Sequence, residues 1–251
     1  RKQERGFLDM AQAETRRWHE TLRAAETSPR LPMNPAAPVA ALGARMPADA
    51  VVVADSGHHT GLVARHMRLG PEHDFGVSGL LASMGCAIPY AVAAGCAWPG
   101  RPIIGVIGDG GLAMQLGEFA TAVAMKLPLK LLVLRNGTLG QIKWEQILFL
   151  GNPEHGCEVP VIDFAKAAEA MGGHGFTVED PAKLGAVLDA ALAVEGPVII
   201  QAIVDPNEPL LPAVVSEAYA KHLKQALGEG TKDATAIEAA LEREPSRSMM
   251  G

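Results

Sequence analysis

Asp109 and Asn136 are the residues of this 251-residue chain whose types and surroundings point most directly to chemistry. A carboxylate and an amide oxygen are hard donors of the kind that bind Mg²⁺ or Ca²⁺. Each follows an apolar, strand-like run. Ile103-Ile104-Gly105-Val106-Ile107 leads through Gly108 to Asp109, and Leu129-Lys130-Leu131-Leu132-Val133-Leu134 leads through Arg135 to Asn136. Such runs suit strands buried on both faces of a parallel sheet, whose carboxyl ends lie side by side. The two side chains are therefore expected to converge. Gly110 and Gly111 lack a Cβ, so the backbone there is expected to turn sharply and bring its amides close to an anion. A helix expected over Leu112 to Lys126 adds the positive end of its dipole. The ligand that fits these donors is a divalent cation whose shell is completed by a diphosphate. The residue types also permit a plainer role, with Asp109 a helix N-cap and Asn136 a turn former.

Those donors need a scaffold, and the rest of the chain supplies one. From about Pro35 to Pro212, strand-like and helix-like stretches alternate. Strands are expected near 51–54, 103–107, 129–134, 175–178 and 197–204, and helices near 36–46, 59–67, 84–96, 112–126, 163–171 and 181–194. The alternation predicts an α/β fold, a parallel sheet with helices on both faces and ligands at the strands' carboxyl ends. Pro89 is expected to kink or tighten its helix. Residues 137–160 read as a long loop of the kind that covers a ligand, with His155 and Cys157 as ordinary loop residues.

Two flanking segments complete the organisation. Residues 1–34 carry Phe7, Leu8, Ala11, Trp18 and Leu22 at helical spacing among charges, an amphipathic linker helix to be laid against a neighbouring domain. The stretch from Pro29 to Pro38 reads as a domain boundary. Residues 35–212 form the expected ligand-binding domain. Residues 213–251 read as a helix near 215–227 and a polar C-terminal tail ending in Ser246-Arg247-Ser248-Met249-Met250-Gly251, with no apolar face for a membrane.

A hydrophobic content of 48% with 20% charged residues describes a globular chain able to bury a core, and 4% aromatics suits closely packed α/β layers. The net charge of −6 argues against a nucleic-acid partner and offers no basic membrane patch. Cys86, Cys96 and Cys157 show no metal-ligand spacing and read as reduced thiols of a cytoplasmic protein. No stretch reads as a transmembrane helix or a signal peptide. An initial Arg suggests a cleaved or truncated product, and unrecorded residues ahead of it fit equally.

The Gly108-Asp109-Gly110 triplet followed by Asn136, in strand-helix-strand context, resembles the cofactor motif of thiamine diphosphate enzymes. The resemblance implies the thiamine diphosphate-binding fold, with thiamine diphosphate and Mg²⁺ as cofactors. It implies Asp109, Asn136 and Thr138 as metal ligands, and Gly108, Gly110, Gly111, Thr138, Leu139 and Gly140 beside the cofactor. Three further stretches are similar to the acetolactate synthase and pyruvate oxidase branch. Val51-Val52-Val53-Ala54-Asp55-Ser56-Gly57-His58-His59 resembles its first strand and diphosphate loop, which implies that His58 and His59 reach the diphosphate. Val77-Ser78-Gly79-Leu80-Leu81-Ala82-Ser83-Met84-Gly85 resembles the Ser-Gly-Gly-Leu-Gly-x-Met-Gly signature. That match makes Met84 the wedge beneath the cofactor and the Ala82 carbonyl the acceptor of its 4′-amino group, with Ser83 between them. Ala82 stands where Gly is usual, a replacement expected to cost nothing where only the backbone is used. Leu139-Gly140-Gln141-Ile142-Lys143-Trp144-Glu145-Gln146 resembles the Gly-Phe-Ile-Lys-x-Glu-Gln run of pyruvate oxidases, which implies that Ile142 and Glu145, with Gln141 beside them, face the substrate. Trp144 reads as packing. Acetolactate synthases typically carry Trp at the position of Glu145, so the run leans toward the oxidases, although Gln141 departs from their Phe.

By the same resemblance the enzyme decarboxylates a 2-oxo acid such as pyruvate and passes electrons to a flavin. An acetolactate synthase-like carboligase is the alternative, and a non-catalytic cofactor-binding assembly module is a third reading. Family members carry the activating Glu on a preceding pyrimidine-binding domain and FAD, where they use it, on a middle domain. Neither is found in these residues. The chain is thus expected to be a fragment or one subunit, incomplete as an active site by itself. It would work with those domains or a partner chain bearing them, as a homodimer or homotetramer.

Overall fold

The computed structural model describes residues 5–209, 211 and 215–243. The expected domain end at 212 and the closing segment 246–251 lie outside the described residues. Six strands are formed: β1 (Val51–Ala54), β2 (Asp74–Gly76), β3 (Ile103–Gly108), β4 (Leu129–Arg135), β5 (His174–Val178) and β6 (Val198–Ile203). The helices are α1 (Gly6–Glu26), α2 (Ala36–Gly43), α3 (His58–His66), α4 (Ala87–Ala97), α5 (Asp109–Gln115), α6 (Glu118–Ala124), α7 (Gly140–Glu145), α8 (Phe164–Ala170), α9 (Leu184–Ala193), α10 (Glu217–Gly228) and α11 (Ala234–Arg243).

The strands make one all-parallel sheet in the order β2-β1-β3-β4-β6-β5. Their apolar runs are continuous because both faces are covered. Val52, Ala54, Ile104, Val106, Leu132, Leu134 and Ile200 point into a core closed by α2, α3 and α9. The intervening Val51, Val53, Ile103, Ile107, Leu131, Val133 and Ile199 point into a second core under α4, α5, α6 and α8. From β1 the chain goes to one side for β2 and then crosses to the other for β3. That reversal leaves a crevice at the carboxyl ends of β1 and β3, where ligands of such sheets bind. The register aligns Ala54 with Val106 and Gly108 with Leu134, so the three segments that follow β1, β3 and β4 emerge together.

Several elements differ from the sequence-based expectation, each for a physical reason. β2 was not expected, because three residues in a polar stretch carry no periodicity, and pairing with β1 alone makes it an edge strand. The single helix expected over 112–126 begins at Asp109 and divides around Gly117 into α5 and α6. Pro89 produces no kink, since it lies in the first turn of α4, where its missing N–H is not needed. The loop expected over 137–160 contains α7 and a π-helical turn, Gln146–Leu150. Gly137 and Gly151, both at positive φ, bracket that helical stretch and gave it the punctuation of a loop. The expected polar tail holds a second helix, α11. Leu223, Ala226 and Leu227 of α10 and Ile237 and Leu241 of α11 form an apolar face that closes over Trp144 and Ile147. Among the described residues no helix is long and apolar enough to cross a membrane. In α1 only Leu22 is buried, while Phe7 is 79% exposed and Leu8 and Met10 also face outward.

Candidate active site

Asp109 opens α5, with Gly108 in the N-cap position. It is 3% exposed. Its Oδ1 accepts from the Gly110 amide at 3.0 Å and its Oδ2 from the Gly137 amide at 2.7 Å. The second bond joins the ends of β3 and β4, so the convergence expected from the parallel sheet is present. Asn136 Oδ1 accepts from the Thr138 amide at 3.1 Å. Thr138 gives its hydroxyl hydrogen to the Cys157 carbonyl at 3.2 Å. Burial pushes the Asp109 carboxyl pKa up, against backbone hydrogen bonds led by Gly137 that pull it down. A buried carboxylate held by neutral amides is the donor whose desolvation a divalent cation relieves best.

Gly110 and Gly111 do not make the sharp turn expected of them, because both are inside the first turn of α5. Their missing Cβ matters for packing instead. A Cβ on Gly111 would lie 2.1 Å from Asp55 Oδ2, and one on Gly110 would lie 2.9 Å from both Met84 Cε and Leu139 Cδ2. The two glycines let three loops close on one another.

The β1 side carries Ser56, His58 and His59. Ser56 Oγ, His58 Nε2 and His59 Nε2 are all buried without a hydrogen-bond partner among the described residues. Orphaned polar atoms of this kind are costly unless a ligand completes them. Desolvation holds the His58 pKa down to about 3 and the His59 pKa down to about 4, the latter in spite of Asp55 nearby. Both imidazoles are therefore neutral at pH 7. Asp55, fully buried at the end of β1, accepts from the amides of Gly85 at 2.9 Å and Ala87 at 3.2 Å. It thereby pins the 77–86 loop that presents Ala82 and Met84.

Ala82 has φ +48°, in the left-handed region, so its substitution for Gly does carry a backbone cost. The expectation of a free replacement fails for that reason. Leu80 and Leu81 on the same loop are 95% and 82% exposed.

On the β4 side, α7 is locked on its outer face. Lys143 is buried, donates to Asn207 Oδ1 at 2.6 Å and lies 3.8 Å from Glu154, and desolvation lowers its pKa. Trp144 packs under α10 and α11, in keeping with a packing role. The inner face presents Gln141, Ile142 and Glu145.

One cleft of about 280 Å³ collects these groups. His58, His59, Ala82, Met84, Gly108, Asp109, Gly110, Gly111, Asn136, Thr138, Leu139, Gly140, Gln141, Ile142 and Glu145 all line it. Ser83 does not. It is exposed, and its amide donates to Ser78 Oγ at 3.1 Å. Pro35, Ser56, Gly57, Leu62, Leu134, Val204 and Asp205 line the cleft without having been singled out from sequence. Asp205 had a usable signal, because it closes the apolar β6 run as Asp55 and Asp109 close β1 and β3. Its Oδ1 accepts from the Asn207 amide at 2.8 Å, and Arg30 pairs with its Oδ2 at 2.5 Å.

Known proteins resemble the chain in sequence across this region. Residues 55–202 match the thiamine pyrophosphate enzyme family in its C-terminal TPP binding domain. The chain is 35% identical over 221 residues to the thiamine pyrophosphate-containing protein YdaP of Bacillus subtilis strain 168, covering 88% of this chain and 38% of YdaP. It is 33% identical to the acetolactate synthase isozyme 2 large subunit of Escherichia coli K12, over 69% of this chain and 32% of that subunit. It is 32% identical to the pyruvate oxidase of Lactiplantibacillus plantarum, over 79% of this chain and 33% of that enzyme. The chain thus spans only 38% or less of the length of these three relatives. With a match across most of the parallel sheet and its cleft, the chain belongs to the thiamine pyrophosphate enzyme family, as a C-terminal TPP binding domain.

Proposed function

We propose that this domain holds the diphosphate and metal of a thiamine diphosphate-dependent enzyme that decarboxylates a 2-oxo acid such as pyruvate and passes the electrons to a flavin. The observation that carries the reading is the meeting in one cleft of Asp109, Asn136, Met84 and Glu145, drawn from four separate stretches of sequence. The residues fit the cofactor on their own chemistry. Asp109 and Asn136 offer oxygens to Mg²⁺, with Thr138 beside them. Ser56, His58 and His59 have unmatched buried polar atoms suited to diphosphate oxygens. Met84, packed against Gly110 and lining the cleft, supports the wedge role.

When bound, the cofactor supplies the carbon nucleophile for a 2-oxo acid carbonyl and a sink for the electron pair left on loss of CO₂. The protein's part is to hold it, orient it and exclude water. Glu145 and Ile142 stand at the substrate end, with Glu145 as a hydrogen-bonding group toward the reacting acid. The activating Glu, and FAD, would come from preceding domains or from a partner chain carrying them. A homodimer or homotetramer would then complete each site. The exposed Leu80 and Leu81 beside the cleft support such a cover. The free thiols of Cys86, Cys96 and Cys157 suit a cytoplasmic enzyme.

The second reading, an acetolactate synthase-like carboligase, is favoured by the likeness to the Escherichia coli subunit. Incubating the intact enzyme with pyruvate, thiamine diphosphate and Mg²⁺ separates the two. Reduction of bound flavin with acetate or acetyl phosphate as product supports the oxidase. Acetolactate without flavin reduction moves the reading to the carboligase, and cofactor binding without turnover of any 2-oxo acid moves it to an assembly module.

A further inference from the structure

We propose that Gln141 is a positioning residue that holds the Glu145 carboxylate in place at the substrate end of the cleft. The proposal rests on the functional reading above. Gln141 and Glu145 are four residues apart on α7, and Gln141 Nε2 donates to Glu145 Oε1 at 2.8 Å. Both side chains line the cleft.

Three features make this bond more than a surface pairing. First, α7 cannot roll. Lys143 is tied to Asn207 and Trp144 is buried beneath the C-terminal helices, so the face bearing Gln141, Ile142 and Glu145 is fixed toward the cleft. Second, the helix changes to a π-helical turn at Gln146, directly after Glu145. π-Turns interrupt regular packing and recur at functional sites. Here the turn begins at the residue after Glu145, which is thereby the last α-helical residue of α7. Third, a Glu side chain on a half-exposed helix face is ordinarily free to sample many rotamers, at a substantial entropic cost if a reaction needs only one. An amide donor four residues earlier removes much of that freedom before substrate arrives.

The run that resembles this one in pyruvate oxidases has Phe in the Gln141 position, which cannot donate a hydrogen bond. In this chain the carboxylate is therefore oriented by a neighbour on its own helix. The pairing occupies Oε1 and leaves Oε2 for a donor in the cleft.

The test is a double-mutant cycle in the intact enzyme loaded with thiamine diphosphate and Mg²⁺, reading CO₂ release from pyruvate, a step shared by the oxidase and carboligase readings. Gln141→Met keeps length and bulk but removes the donor. It is expected to lower kcat about tenfold, the scale of one hydrogen bond to a charged group, with the Kd for thiamine diphosphate and the KM for pyruvate within about twofold of the parent. In a Glu145→Met background, which removes the acceptor, the same change is expected to have no further effect. Gln141→Lys restores a donor and is expected to recover most of kcat. Losses that multiply in the double variant, or an unchanged kcat in Gln141→Met, would overturn the proposal. Failure of the parent enzyme to bind thiamine diphosphate would instead strike the underlying reading, and the Kd measurement keeps the two apart. All variants change a helix surface position, so unfolding is not expected, and a matching Tm verifies that.

Discussion

Asp55 and Asp109 look alike in sequence and do different work. Each ends an apolar strand of the same sheet, each is almost wholly buried, and the two lie close enough to crowd Gly111 from Asp55's side. Asp55 spends both oxygens on the amides of Gly85, at the end of the 77–86 loop, and Ala87, which opens α4, and it does not line the cleft. Asp109 is held by the Gly110 and Gly137 amides and does line it. The difference is set by which segment returns over each strand end. Where the 77–86 loop closes down, the carboxylate becomes a structural clasp; where the β4–α7 connection passes beside the strand end, the carboxylate keeps access to a ligand.

The largest effect that would break this comparison is expected at Asp109. Asp109→Ala should abolish metal-dependent retention of thiamine diphosphate in the intact enzyme, because it removes a charged oxygen from the metal shell. Equilibrium dialysis with and without Mg²⁺ is the measurement. Retention equal to the parent would remove Asp109 from the metal site.

Asp55→Ala should act the other way round. It strands two buried backbone amides, each worth about 1–3 kcal/mol when left unpaired, so the ligand-free protein should lose stability outright. Asp109→Ala should cost less in that ligand-free measurement, since the Gly110 and Gly137 amides it leaves unpaired are only part-buried beside the cleft and can be hydrated, whereas those of Gly85 and Ala87 are buried. Urea titration of the two variants would sharpen the contrast. A larger loss for Asp109→Ala would mean that both carboxylates are clasps.

The histidines beside these carboxylates set a pH dependence. Their folded pKa values, about 3 for His58 and about 4 for His59, lie below the ordinary 6.5. Burial also lowers the pKa of His66, paired with Glu26. Below pH 6.5 the unfolded chain binds protons that the folded chain refuses, so stability must fall with pH in that range and level off only near pH 3. At pH 5 the penalty is up to about 2 kcal/mol per fully buried histidine. Melting at pH 7.5 and pH 5 should show a Tm lower by roughly 4–8 °C for each such group. His59→Gln should flatten that slope, and a slope unchanged by it would place the proton uptake elsewhere.

The same contrast explains what could be read from sequence. The sheet and its ligand edge were legible, because strands buried on both faces need continuous apolar runs and Val51–Ala54, Ile103–Ile107 and Leu129–Leu134 supply them. Most cleft residues were legible too, through motifs beside those strand ends. What stayed hidden depends on contacts between distant segments. The glycines around Asp109 mark it in the sequence, but nothing near Asp55 announces that its carboxylate clasps amides thirty residues on. The three residues of β2 have no pattern of their own and exist by pairing with β1. The apolar face of α10 and α11 looks weak until Trp144 and Ile147 are placed beneath it. Ser83 sits inside a well-matched signature and still points away from the cleft, because the loop turns at Ala82.

That turn yields the smallest and most delicate test of how the 77–86 loop is built. At φ +48° an Ala pays roughly 1 kcal/mol relative to Gly for crowding between its Cβ and the backbone. Gly, however, loses more freedom on folding, about 0.4–1 kcal/mol, which offsets most of that gain. Ala82→Gly should therefore raise Tm by no more than about 3 °C. Its effect on the cofactor should be opposite in sense to the stability gain: an Ala confined to one backbone well holds the carbonyl at residue 82 and the neighbouring Met84 in place, whereas Gly lets the loop wander when it is empty. A slightly stabler protein with a weaker Kd for thiamine diphosphate would show that the strained residue preorganises the loop. A tighter Kd would show that the strain is simply a cost, and that the clasp at Asp55 alone is enough to hold the loop against the cleft.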